Sequence, residues 1–584
     1  MKKIIIAITL VALFTSCKKF LDLPPADQIS SGQYWTKASD LENYMLQFYS
    51  NFPNFNNGNG YTGLYGNDAY NGSDHQIINN TVATQLNGTR STVQSGGSWS
   101  WETIRSLNIF FENYSKVNAP SGSVQQFIGE AYFFKAYFYF NLVRHYGDVP
   151  WYTHSMQMTS PDLYKARDPR TVVVDSILYC LDQAIANLNM RSSVSGGNNR
   201  LSKEAALIFK SRVALYEGTW QKYHANTVFG TKDADPNKYL QSAVDACTEL
   251  MTPGKYTVGI SNTGNPALDY TKLFNSNDLS TNKEVALWCK YDLSLQWTHP
   301  LQGELYTGEP AVITNQLVEN FLKRDGTPYD YKTIGQSTKG LAFLTKITTE
   351  CDIRLSTILQ APGMLLWSLG STGYFVRPAM FQTGDGYQAT GYQGRKGLDP
   401  SALNGSAAYN NSFITGCIVF RYAEALLNYA EAKAELGQNV DYTISLNLLR
   451  ARAGMPNFSV SSDPNRSDYA NFGYALTDEL YEIRRERAVE LACEGYRYDD
   501  WRRWRAHGLF LNQQPKGFPF LASDYPDYPS LATKIAVDAD GFVLPYKALL
   551  IGTGYNFNVG RDYLDCIPTN EITLNPALTQ NPGW

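Results

Sequence analysis

At 584 residues the chain is long enough for several domains of ordinary size, ~100 to 200 residues each. Its 50 Lys plus Arg stand against 54 Asp plus Glu, a net charge of -4, which excludes the broad basic surface that generic nucleic-acid binding needs. Hydrophobic residues at 43% and charged residues at 18% give ample core material and too little repulsion for a disordered chain, and 14% aromatic content supplies rings for core and wet recognition surface alike.

Lys2 and Lys3 precede an apolar run from Ile4 to Phe14 broken only by Thr9, and Thr15-Ser16-Cys17 follows. Charged, apolar and small-residue regions in that order predict an export signal over residues 1–16. The run is too short for a membrane-crossing helix, which takes about 20 residues. Cys17 behind two small residues resembles a lipobox, so acylated Cys17 is expected to begin the mature chain and to anchor it to a membrane. The other seven cysteines are scattered with no C-x-x-C pair, which argues against a disulfide framework and a zinc cluster.

Residues 51–98 hold ten Asn and eight Gly and read as irregular. Apolar spacing of 3.6 residues then predicts helices over 101–118, 124–145, 172–188, 201–216 and 239–251. Short Ala side chains among large rings suit stacked helix pairs of the tetratricopeptide type, although no strict period of 34 residues is present. Residues 255–412 are loop-rich, with Gly, Tyr, Asn and Ser concentrated after 361. A second helical block follows over 421–437, 444–453 and 479–493, with Glu424, Glu431 and Glu435 expected mostly off the apolar face and Gly437 as a stop. Pro568, Pro576 and Pro582 predict an extended strap over 563–584.

Several strings resemble the SusD/RagB family of outer-membrane lipoproteins: Gly129-Glu130-Ala131 through Arg144-His145-Tyr146-Gly147-Asp148-Val149-Pro150, Arg421-Tyr422-Ala423-Glu424 through Glu435-Leu436-Gly437, and Leu448-Leu449-Arg450-Ala451-Arg452-Ala453-Gly454. Ile483-Arg484-Arg485-Glu486-Arg487 through Glu494-Gly495-Tyr496-Arg497, then Trp501-Arg502-Arg503-Trp504, Ile567-Pro568-Thr569-Asn570-Glu571-Ile572 and the terminal Gln580-Asn581-Pro582-Gly583-Trp584 complete the set. Cys566 and Trp584 depart from the strap residues expected of that family.

The resemblance implies one mainly α domain over 17–584. Its tetratricopeptide-like scaffold lies mainly in 101–251 and 420–505, and its loop-rich ligand region mainly in 51–98 and 255–412. It also implies glycan capture at the cell surface, delivery to a SusC-like TonB-dependent transporter in the outer membrane, and no catalysis. Peptide capture, a surface glycoside hydrolase and a protein-docking scaffold are the competing readings.

A neutral sugar offers C–H faces that stack on rings and hydroxyls that need donors and acceptors. Trp297 and Tyr291, where an apolar stretch breaks into polar residues, and Trp367 and Tyr374 in a Gly-flanked segment are candidate loop aromatics. Trp99 behind Gly96-Gly97-Ser98 is another, and Asn67, Asp68 and Arg90 are the candidate polar contacts. Trp101, Trp501 and Trp504 read as structural, and Glu482, Glu486, Glu490 and Arg485 as ion pairs along one helix face. The six His show no metal-binding spacing, so neither metal nor cofactor is expected. Asp538-Ala539-Asp540-Gly541 resembles the start of a calcium loop but lacks its distal Glu, position 549 being Leu549, and reads as a turn.

Overall fold

The computed structural model describes residues 34–55, 63–308, 312–380, 388–405, 412–460, 463, 466, 470–550, 552 and 554–584. The expected export signal and the expected lipid-bearing Cys17 lie outside the described residues. No described helix is long and apolar enough to cross a membrane.

The first helical block comprises α1 (Ala38–Leu46), α2 (Glu102–Asn113), α3 (Ser121–Tyr146), α4 (Arg170–Asn187), α5 (Lys203–Tyr223) and α6 (Pro236–Leu250). Successive helices from α2 onward pack on one another, giving the expected helix-pair scaffold. Local chemistry sets the starts: Ser202 accepts from the Ala205 amide, and Asp235 accepts from the Lys238 amide with Pro236 in the first turn. Helix α5 runs past the predicted stop at Tyr216, because the polar residues that follow are interior. Glu217 is buried against Arg170 at 2.6 Å, and Gly218 lets α6 approach so closely that a Cβ there would lie 3.0 Å from the Leu240 amide nitrogen.

Among the described residues six short strands form three antiparallel pairs: β1 (Gln76–Ile77) with β3 (Val312–Ile313), β2 (Val285–Cys289) with β6 (Cys417–Arg421), and β4 (Leu365–Trp367) with β5 (Gly373–Tyr374). The second helical block is α7 (Tyr422–Glu435), α8 (Leu446–Arg452), α9 (Asp478–Glu490) and α10 (Arg497–Arg503). Gly437 ends α7 with φ +67°.

Among the described residues two large apolar cores result, with a small cluster of Leu322, Ala453 and Met455 apart from them. One joins the helical blocks through residues such as Phe133, Phe134, Phe209 and Leu426. The other fills the loop-rich region with Phe55, Tyr291, Leu317, Phe343, Tyr392 and Phe518.

The acids of α7 correct the sequence reading. Glu424, Glu431 and Glu435 are buried, because α5, α6 and α9 enclose α7. Each meets a cation: Glu424 takes Arg212 at 2.5 and 2.7 Å, Glu431 takes Arg503 at 2.6 and 2.7 Å, and Glu435 takes Arg484 at 2.8 Å and Lys222 at 2.7 Å. On α9 only Glu482 pairs along its own helix, with Arg485. Glu486 reaches Arg354 at 2.7 Å and Arg450 at 2.8 Å, and Glu490 reaches Arg421, Arg452 and Arg354 at 2.7, 2.5 and 2.9 Å. These pairs are interior ties between elements, not a solvated helix face.

The strap is also less extended than expected, since Thr569–Leu574 is helical. Trp584 pins its end between the guanidinium groups of Arg90 and Arg561, 4.9 and 4.6 Å from its ring, and donates its indole N–H to the Leu564 carbonyl at 3.1 Å. The 538–541 segment is a turn: the Asp538 carboxylate accepts from the Asp540 and Phe542 amides, and Gly541 has φ +93°.

Candidate functional site

At the seam between the two cores lies an open hollow of about 460 Å³. One wall is the face of α3 carrying Tyr137, Asn141 and Arg144, spaced so that one helix side presents them together. Arg212 of α5 joins it, while Phe55, Leu64 and Cys417 close the opposite side from the second core. Glu494 and Tyr496, just before α10, and Asp499 in its first turn complete the polar lining with Asn67.

These polar groups are linked in pairs. Arg144 is bonded to Asp499 and to the Asn141 amide oxygen, with the two side chains of the ion pair 22% and 17% exposed. Arg212 holds Glu424 bidentately, donates to the Tyr496 hydroxyl at 3.0 Å and stacks over the Phe420 and Tyr496 rings. Glu494 takes Lys396 at 2.6 Å and Arg421 at 2.7 Å, and His145 meets Asp565 at 2.6 Å. Planar polar side chains thus alternate with rings in a partly solvated recess, the surface that hydroxyl-rich ligands need.

Phe55 connects the hollow to an exposed aromatic platform. Its ring stacks on Tyr291 with centroids 6.1 Å apart and planes 5° apart, and Tyr291 stacks in turn on Trp297 at 5.9 Å and 16°. Tyr291 is 1% exposed and its hydroxyl accepts from the Phe55 amide at 2.6 Å, so it is the fixed base on which Trp297, 43% exposed, rests. A tight turn presents Trp297: Asp292 and Trp297 exchange backbone hydrogen bonds of 2.9 and 3.1 Å, and Gln296 adopts φ +54° between them. Leu293 and Leu295 stand exposed at its tip.

The other candidates divide. Asn67 lines the hollow and donates to the Gly495 carbonyl at 2.6 Å. Trp367 is edge-on to Tyr306 and boxed by Gly373 and Gly405, where added Cβ atoms would meet its ring at 1.9 and 2.8 Å; among the described residues no ring contact joins it to Trp297. Tyr374, on β5, is 57% exposed. Trp99 is buried at 8% exposure, edge-on to Trp101 and Tyr146. Arg90 ties the strap through Asp565, the Asp562 carbonyl and Trp584.

Asp68 is buried and does not line the hollow; it accepts from the Tyr498 amide at 2.9 Å. Burial pushes its carboxyl up to about 7, with Asp500 and Asp499 adding to that and the Tyr498 and Arg497 amides opposing it. Because this value lies above the unfolded one, the neutral form favours folding, and stability is given up as pH climbs from about 4 to 7. Asp68→Asn keeps the acceptor oxygen without the charge. The variant is expected to gain stability relative to the native chain over that window, read as the pH dependence of the difference in denaturant midpoints. A difference independent of pH between 5 and 8 would show that Asp68 does not titrate there.

Asn141, Arg144, Arg212, Tyr496 and Asp499 were not legible as site residues in the sequence. Their signals were faint: two polar residues interrupting the apolar pattern of α3, and a doubled acid ahead of Trp501.

Among the described residues no group of His, Cys, Asp and Glu is arranged to hold a metal ion. A model of the SusD family matches residues 273–584, and a second model, for starch-binding proteins associating with the outer membrane, matches residues 19–215. SusD-like protein P38 of Formosa agariphila is 24% identical over 505 residues, 84% of this chain and 88% of that protein. SusD-like protein P25 of the same organism is 22% identical over 326 residues, 53% of this chain and 54% of its own. A SusD-like carbohydrate binding protein from Bacteroides fragilis shares the fold at TM-score 0.71 and 20% identity, covering 94% of this chain and all of its own. A laminarin binding SusD-like protein does so at TM-score 0.55 and 19% identity, over 94% of this chain and all of its own.

Proposed function

The chain belongs to the SusD family, and from that premise we propose that it binds an oligosaccharide or polysaccharide without reacting on it and hands it to a TonB-dependent transporter in the outer membrane. The observation that carries this reading is the conjunction of an open hollow lined by paired planar polar groups with a rigidly backed, half-exposed Trp297 beside it. The relatives named for carbohydrate and laminarin binding support the ligand class, and the match to proteins associating with the outer membrane supports the location. Acylation of Cys17 would supply the anchor.

A hydrolytic role fits the hollow poorly. Glycoside hydrolysis needs a carboxylic acid poised to give a proton and a second carboxylate about 5 to 9.5 Å away. Here Asp499 is engaged by Arg144, and Glu494 by Lys396 and Arg421. The test is calorimetric titration of the mature domain with laminarin, amylopectin, arabinoxylan, alginate, polygalacturonate and mixed peptides, with reducing ends assayed in parallel. Saturable binding to at least one polysaccharide without product release is expected. Binding to peptides alone, or sustained release of sugar, would overturn the proposal.

A further inference from the structure

Resting on that reading, we infer that the hollow selects uncharged glycans over those carrying carboxylate or sulfate groups, and that the Arg144–Asp499 pair is the main determinant of this choice. Every charged side chain that lines the hollow is matched by an opposite partner: Arg144 by Asp499, Arg212 by Glu424 in a bidentate pair, and Glu494 by Lys396 and Arg421. His145 faces Asp565, which Arg90 also holds.

A uronate or sulfated sugar entering this recess would find no spare cation. It would give up its hydration and come to rest beside the carboxylates of Asp499 and Glu494, with like-charge repulsion strengthened by the partly buried setting. A hydroxyl carries no such handicap, since it can donate to a paired carboxylate and accept from a paired guanidinium without disturbing either. Proteins that take anionic groups instead leave Arg free to grip them bidentately. Arg212 is far less free, its Nε and Nη2 being held by Glu424 and its plane packed over Phe420. Arg144 is bound through a single acid on the rim of α10, with both partners partly exposed, so it is the cation that loss of one carboxylate would release.

The experiment titrates the native mature domain with the neutral polysaccharide that it binds best in the panel above and with the carboxymethylated derivative of that same polymer, at low and high salt. The native chain is expected to bind the neutral polymer at least about tenfold more tightly, with affinity nearly independent of ionic strength. Asp499→Asn uncovers Arg144 and is expected to strengthen binding of the charged derivative several-fold in a salt-sensitive manner, narrowing the preference. Arg144→Gln, which leaves Asp499 uncompensated, is expected to widen it. Circular dichroism and denaturant midpoints identify any variant that fails to fold, and the native comparison stands without them. Equal or tighter binding of the charged polymer by the native chain would overturn the inference while leaving glycan binding intact. A neutral preference that neither variant moves would remove the pair from its role. No binding to any polysaccharide would defeat both readings together.

Discussion

Replacing Glu490 with alanine is expected to cost about 3–5 kcal/mol of folding stability, the range measured when one partner is removed from a buried ion pair. Glu490 has no exposed surface and gathers three arginines from three separate elements: Arg421 at the end of β6, Arg452 on α8 and Arg354 on the short helix Ile353–Ile358. Removing it strands guanidinium groups away from water, a larger penalty than the pair's own net contribution. Neighbouring acids soften the loss, because Glu284 also holds Arg421 and Arg452 and Glu486 also holds Arg354. Chemical denaturation with unchanged slope and a lowered midpoint is the readout. A change under 1 kcal/mol would mean that the remaining carboxylates take over all three cations.

The same ties set the acid limit of the fold. Burial alone would raise the carboxyls of Glu486 and Glu431, but Arg354 and Arg450 overcome this at the first, and Arg503, Arg487 and Arg484 bring the second down to about 2. Their folded-state values lie below the unfolded one near 4.5, so the stability they confer is fully present above that pH and is lost as pH falls below it, for Glu431 toward about 2. Asp68 acts with the opposite sign, which places its titration and theirs in separate windows and makes them separable in one pH series.

These acids also mark where sequence alone stops being informative. The helical blocks were legible because a 3.6-residue apolar period survives in α2 through α7, and caps such as Ser202 and the stop at Gly437 are local chemistry. Glu424, Glu431 and Glu435 share a helix with alanines and leucines, and period reasoning assigns such charges to solvent. Only the enclosure of α7 by α5, α6 and α9, with Arg212 of α5, Arg484 of α9 and Arg503 of α10 reaching its acids, turns them inward. The candidate site divided along similar lines. Trp297 was readable as a loop ring because the apolar run of β2 gives way to polar residues before it. Arg144, Arg212 and Asp499 sit within regular helices and within strings already accounted for as scaffold, and their convergence depends on contacts across hundreds of residues.

Trp297→Ala is expected to weaken glycan binding by about 1–3 kcal/mol, or roughly 5- to 150-fold, the usual worth of a stacked ring. Its effect on stability should stay within about 0.5 kcal/mol, as for other exposed positions, since 43% of its surface faces solvent and Tyr291 beneath it is held by Phe55. Trp367→Ala should do the reverse. That ring is partly buried in a slot shaped by Gly373, Gly405 and Tyr306, so its removal forfeits packing and lowers stability by about 1–3 kcal/mol, with affinity per folded molecule little changed. Measuring binding and unfolding on both variants separates platform from filler, because each role moves a different quantity. If Trp297→Ala binds as well as the native chain while Trp367→Ala folds normally and loses affinity, the ligand runs along the β4–β5 hairpin, where Tyr374 is exposed, and not along the Phe55–Tyr291–Trp297 stack.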